Sequence, residues 1–114
     1  MDQTVALGGR MSSYELNRAI HRVYTNRDNT MAFRAGDYKV LDGFELTAEE
    51  RDALTGRDFP QLWALHVHPV LLFHLSVVLN PREWYMREVV PKIRGVPNRW
   101  YDYYTTARAG TEPA

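Results

Sequence analysis

The sequence predicts an all-α fold, a small orthogonal bundle of five to seven mostly short helices around a buried helix at about residues 69–79. Helix-start signals recur along the chain, and apolar residues follow them at helical spacing. An alternating run of β-branched residues, which would indicate a strand, is missing from the sequence. At 114 residues, the chain is expected to form one domain.

The first helix is predicted to begin near Ser12. Residues 1–11 contain Gly8 and Gly9 and have little periodicity, so we expect a flexible arm. Ser12 and Glu15 then fit a capping box. An amphipathic helix follows, with apolar side chains on one face at Leu16, Ala19, Ile20, Val23 and Tyr24.

The middle of the chain reads as short helical pieces. Residues 26–29 break the first helix, and one or two short turns hinged at Gly36 come next. Thr47 and Glu50 form a second capping box, and Gly56 stands where a helix would end. These signals predict a short helix between Thr47 and Gly56.

The most apolar stretch is predicted to form two helices separated by a proline break. Asp58 and Gln61 can close a capping box at the start of the first. Because the residue before a proline is pushed out of the α region, the chain should break at His68, and a second helix should run from Pro69 to about Leu79. This helix is apolar nearly all round, which predicts burial by its neighbours, at Val70, Leu71, Leu72, Phe73, Leu75, Val77, Val78 and Leu79.

The last predicted helix uses Asn80 as its cap, Pro81 at its first position and Glu83 at its third. Pro91 should end or kink it. Residues 95–114 are expected to form an aromatic C-terminal tail, the last ten of them disordered. The apolar stripe of this helix is predicted at Trp84, Met86, Val89, Val90 and Ile93.

Composition excludes several classes of function. Fourteen basic and fourteen acidic residues cancel, so no field would draw the chain to nucleic acid or to an anionic membrane. The absence of cysteine excludes disulfides and thiol chemistry, and fits a cytoplasmic protein. The apolar run is too short to span a bilayer, and the N-terminus does not have the pattern of a signal peptide.

The helix break is the candidate substrate site. His66 and His68 flank it, and either neutral imidazole can hold a polar substrate group at the edge of a pocket, with Trp63 nearby. Two histidines without a neighbouring carboxylate do not make an iron site, so we assign no metal ligand and no catalytic residue to this chain. His74 is expected to be an ordinary histidine in or beside the core.

Large aromatic rings are concentrated in the last third of the chain. Such rings commonly anchor protein–protein interfaces, and they can equally cover one end of a bundle. Both readings stay open from the sequence. The candidate interface residues are Trp84, Tyr85, Trp100, Tyr101, Tyr103 and Tyr104.

A set of short motifs between residues 14 and 79 resembles a known family. It is similar to the small α subunit, the LigA type, of class III extradiol ring-cleavage dioxygenases such as protocatechuate 4,5-dioxygenase. The matching segments, in order, are Tyr14-Glu15-Leu16-Asn17, Phe33-Arg34-Ala35 followed by Tyr38 and Leu41-Asp42, Phe44-Glu45-Leu46-Thr47 with Glu49-Glu50, Arg57-Asp58, and the break before Val70-Leu71-Leu72.

The resemblance implies a LigA-like helical domain over residues 12–94 that packs on a larger catalytic subunit and covers its active site. That partner would supply the non-haem Fe(II), held by two histidines and a carboxylate, and would cleave a catechol-like aromatic substrate. This chain itself would hold no cofactor. The family often has a glycine where this chain has the His66-Val67-His68-Pro69 sequence.

Two alternatives from other functional classes remain. The chain could be a stand-alone binding or scaffold domain with a small pocket near His66. It could also be an independent metalloenzyme using His66, His68 and another residue, which would require tightly bound metal in the isolated chain.

Overall fold

A computed structural model describes the backbone of residues 2–102 and the side chains of residues 13–102. In this part of the chain the structure is all-helical, which confirms the predicted class. The α-helices are α1 (Asp2–Tyr24), α2 (Arg27–Arg34), α3 (Ala48–Thr55), α4 (Phe59–Ala64), α5 (Pro69–Leu79), α6 (Arg82–Trp84) and α7 (Val90–Ile93), with a 3₁₀ turn at Lys39–Leu41 and a π-helical stretch at Tyr85–Val89.

The packing of α1 against α5 organises the bundle. The predicted apolar face of α1 is buried, and α2, α4 and the C-terminal helices close the core around the central pair. Fully buried side chains include Leu16, Ile20, Val23, Phe33, Leu54, Phe59, Leu62, Val67, Leu72 and Leu75.

Helix α1 begins at Asp2, so the predicted start at Ser12 is wrong. Two polar residues beside that position make contacts across the fold. The Ser13 hydroxyl donates to the His66 carbonyl at 3.1 Å, and the Glu15 carboxylate accepts from the Glu45 amide at 3.3 Å. The mobility expected of residues 1–11 stays a prediction.

Local capping chemistry sets the short helices as predicted, with one difference. Thr47 and Glu50 make both bonds of their capping box. Asp58 accepts from the Gln61 amide at 3.2 Å, but the Gln61 side chain donates to Glu49 at 2.8 Å and does not reach back. The second box is therefore half formed, because a carboxylate on α3 offers Gln61 a charged acceptor.

Helix α5 has the predicted bounds but not the predicted burial. Leu72, Leu75 and Leu79 are buried, whereas Val70 and Val77 are 52% and 39% exposed. The expectation that neighbours would bury α5 all round is thus wrong for this chain. Within the part of the chain that the structure describes, one face of this most apolar helix is uncovered.

The last predicted helix has a different register, and the interruption expected at Pro91 takes the form of a π-helical stretch that ends at Val89, with α7 beginning at Val90. The cap of the predicted helix is Pro81 and not Asn80, and the Val90 amide donates five residues back, to the Tyr85 carbonyl. At the start of the π-helical stretch Tyr85 is buried and Met86 is exposed, so Tyr85 takes the place in the buried stripe that was predicted for Met86. A widened turn also accommodates a proline that cannot donate to the preceding turn.

The C-terminal segment turns at Gly95, where φ is +78°, and residues 99–102 are helical. Tyr103, Tyr104 and the predicted disorder of the last ten residues lie outside the described residues. None of the helices in the described part of the chain combines the length and the apolar character needed to cross a membrane.

Candidate functional site

A pocket of about 400 Å³ lies between α1 and the start of α5. Its size is within the range of pockets that hold small organic molecules. Basic and aromatic side chains dominate the lining, which comprises Tyr14, Asn17, Arg18, His21, Arg22, Phe44, His68, Leu71 and Trp100. Carboxylate side chains are missing from this lining.

Two arginines one helical turn apart form the basic side of the pocket. The guanidinium groups of Arg18 and Arg22 lie 5.4 and 5.3 Å from the centre of the Phe44 ring. Arg18 also pairs with Glu15 at 3.0 Å, whereas neither of the two ion pairs among the described side chains involves Arg22. Stacking on the ring holds both cations in place.

The helix break forms another side of the pocket. The His68 amide donates to the Asn17 side chain at 2.9 Å, and the His68 ring accepts through Nδ1 from the Val70 amide at 3.2 Å. His68 is therefore the N-terminal cap of α5. Its ring lies 5.4 Å from that of Trp100, so the break and the C-terminal segment meet at the pocket.

His66 has an unusual backbone conformation at the helix break. Its φ is +71°, in the left-handed region, and its Nδ1 accepts from the Arg99 amide at 3.0 Å. Burial and the nearby Arg99 lower the pKa of His66, against a smaller opposing effect of Asp102. Burial also lowers the pKa of His68. A lowered pKa favours the neutral form of both imidazoles, which is the form that has an acceptor nitrogen.

Trp63 lies away from the pocket that His68 lines. Its indole N–H donates to the Val96 carbonyl at 2.7 Å, and its ring lies 5.5 Å from Tyr101. Both rings line a second pocket of about 510 Å³ near Gly95. Of the three residues predicted at the edge of a substrate pocket, His68 therefore lines the first pocket and Trp63 lines the second. His66 lines neither of these two pockets.

The predicted interface aromatics also separate. Trp84 packs edge-on against Phe59, and Tyr85, only 7% exposed, packs against Phe73 and so does not present its ring to a partner. Burial raises the pKa of Tyr85 to about 12. Trp100 lines the first pocket, whereas Tyr101 is half exposed.

Asn98 is a key residue that the sequence interpretation missed. Fully buried, it donates from Nδ2 to the carbonyls of Trp63 and Val67, both at 2.9 Å. Its Oδ1 accepts from the Trp100 and Tyr101 amides at 3.0 and 3.1 Å. An asparagine that follows a Gly-x-Pro turn is a helix-cap signal, and that signal could have identified it.

The arginine pair was missed as well, although two arginines four residues apart on one helix were visible in the sequence. Among the described residues, no group of three histidine, aspartate or glutamate side chains is placed to hold a metal ion. The arrangement is suited to binding: cations and rings surround an open pocket.

Comparison with protein-family models, curated proteins and solved structures found no match to this chain.

Proposed function

We propose that this chain is an accessory small subunit of a non-haem Fe(II) extradiol-type aromatic ring-cleavage dioxygenase, and that it covers the active site of a larger catalytic subunit. The observation that carries the proposal is the uncovered face of α5. The motif resemblance between residues 14 and 79 supports the choice of partner.

The uncovered face is a continuous stripe. Val70, Phe73, His74 and Val77 recur at spacings of three and four residues, which places them on one side of α5. Val70, His74 and Val77 are exposed and Phe73 is half buried. A helix with this composition is normally covered, so a stripe of this kind favours a docking partner.

The division of labour is the one that the motif resemblance implies. The catalytic subunit supplies Fe(II) and the general base, and oxygen and a catechol-like substrate react there. This chain contributes a rigid cover. Helix α5 docks on the catalytic subunit, and the helix break at His68, together with Trp100, faces the active site of that subunit. Closing such a site excludes water from the reaction. A shared cytoplasmic location belongs to the same proposal.

Substitutions on the stripe test the proposal. Val70→Glu and Val77→Glu each place a charge in the docking face, and we expect at least tenfold weaker binding to the catalytic subunit with little change in the stability of the isolated chain. Arg51→Glu on the exposed face of α3 is the matched control. Unchanged affinity in both stripe variants would contradict docking through α5.

A stand-alone binding domain is the second candidate, and the pocket beside His68 favours it. Its basic and aromatic side chains are of the kind that hold a small molecule. This candidate requires no dioxygenase partner, and it predicts a metal-free monomer or homodimer that binds a small molecule.

A further inference from the structure

We propose that the pocket between α1 and α5 binds an aromatic monocarboxylate, with Arg18 and Arg22 holding the carboxylate and the surrounding rings holding the aromatic group. The inference goes beyond the proposed function, because every residue it uses belongs to this chain. It therefore holds or fails in the isolated chain, whether or not a catalytic subunit binds.

The charge balance of the pocket indicates one negative charge on the ligand. Glu15 lies 3.0 Å from Arg18 and compensates it, whereas Arg22 takes part in neither ion pair of the described side chains. One uncompensated guanidinium remains. A guanidinium presents a planar fork of donors that matches a carboxylate. Because only one guanidinium is uncompensated, a singly charged carboxylate is favoured over a dianion such as a phosphate monoester.

The positions of the two arginines determine where the ligand carboxylate would lie. Both guanidinium groups rest on the same Phe44 ring, at 5.4 and 5.3 Å from its centre, and Arg18 also lies 5.7 Å from the centre of the Tyr14 ring. Arginines held on rings lose less freedom when they bind an anion. The carboxylate is thus placed at the α1 side of the pocket.

The other sides of the pocket are suited to a flat apolar group. Leu71, His68 and Trp100 line it beyond the arginines, and the last two rings lie 5.4 Å apart at a tilt of 44°. Rings arranged in this way favour an aromatic ligand over an aliphatic one of equal charge, by offset or edge contacts.

A buried donor beside the pocket adds a second indication. The indole N–H of Trp100 is buried and has no hydrogen-bond acceptor among the described residues. An unpaired buried N–H is costly, so the position of the Trp100 ring is the part of the pocket lining with most to gain from a change on ligand binding.

Binding of benzoate to the isolated full chain tests the proposal. Calorimetry should show saturable 1:1 binding of benzoate, and weaker binding of benzamide, phenyl phosphate and cyclohexanecarboxylate. Amide NMR shifts caused by benzoate should cluster at residues 14–22 and around Trp100. We expect Arg22→Gln to weaken benzoate binding by about tenfold or more, since a charged hydrogen-bond partner is lost.

Arg51→Gln on α3 is the control, because it removes an exposed arginine outside this pocket, and its benzoate affinity should equal that of the wild type. Benzamide binding as tightly as benzoate, or an Arg22→Gln variant with unchanged affinity, would overturn the proposal. So would NMR shifts confined to the second pocket near Gly95. If benzoate binds but no catalytic subunit does, this inference stands while the dioxygenase proposal fails.

Discussion

Asn98 connects three parts of the molecule through one buried side chain. Its amide group satisfies two carbonyls at the end of α4 and the helix break, and its oxygen caps the helical residues that carry Trp100 and Tyr101. The Asp102 carboxylate in turn accepts from the backbone N–H of Asn98 at 3.1 Å. The position of Trp100 at the pocket therefore depends on Asn98.

Replacing Asn98 with alanine should destabilise the chain by about 3 kcal/mol, because several buried backbone groups lose their partners together. Chemical denaturation measures this change. Asn80→Ala is the control: the side-chain amide nitrogen of Asn80 is buried without a partner among the described residues, so its loss should cost under about 0.5 kcal/mol. Equal effects of the two substitutions would show that Asn98 does not act as a junction.

The two histidines at the break give the stability a pH dependence with a definite sign. The pKa of His66 in the folded chain is below its usual 6.5, so the unfolded chain takes up the proton first as the pH falls. The contribution of the neutral ring is complete above about pH 6.5 and decreases as the pH falls through that value. An imidazolium also cannot accept the Arg99 amide.

We expect a His66→Gln variant to lose less stability than the wild type between about pH 7.5 and about pH 5.5, because glutamine keeps an acceptor and does not titrate. Urea unfolding at both pH values gives the comparison. Burial raises the pKa of Glu50, which acts in the opposite sense, but it is present in both proteins and cancels in the difference. Parallel pH profiles would mean that His66 is not linked to folding.

At this scale, the sequence identified His66 and His68 as residues at a break but could not show what they contact. Their partners are distant in the chain: Ser13 and Asn17 on α1, and Arg99 near the C-terminus. Hydrogen bonds of this kind depend on how the helices pack, which local patterns do not encode. The arginine pair likewise lines the pocket because it packs on Phe44, which is distant from it in the chain.

The helices themselves were largely predictable, since local chemistry fixes their ends. Pro69 begins α5, and the capping box at Thr47 begins α3, because both signals act within one turn. The start of α1 and the register after Pro81 were not predictable. A continuous helix can run through a capping signal, and a π-helical turn leaves no clear mark in the sequence.

Helix α5 places one polar side chain, that of Ser76, in the core. Ser76 is fully buried, and its hydroxyl has no hydrogen-bond partner among the described residues. Ser76→Ala should therefore stabilise the chain by about 1 kcal/mol, because it removes an unpaired polar group and raises helix propensity. A rise in the urea midpoint would agree with this assignment. A loss above about 1 kcal/mol would reveal an acceptor for the hydroxyl.

The whole chain is neutral, and its described residues form a helical bundle that buries one side of its most apolar helix and leaves the other side exposed. Its all-α class followed from the sequence. The uncovered face did not, because composition indicates that a surface should be buried without saying whether this chain or a partner buries it. The exposed face of α5 therefore had to be read from the packing of the helices.

The most direct test is to co-express the tagged chain with a class III extradiol catalytic subunit from the same source, and to measure complex mass, iron content and ring-cleavage activity. We predict a stable complex in which iron is bound by the larger subunit and activity falls when this chain is removed. Stoichiometric iron or zinc in the isolated chain would contradict the proposal. So would a catalytic subunit that neither binds this chain nor needs it for full activity.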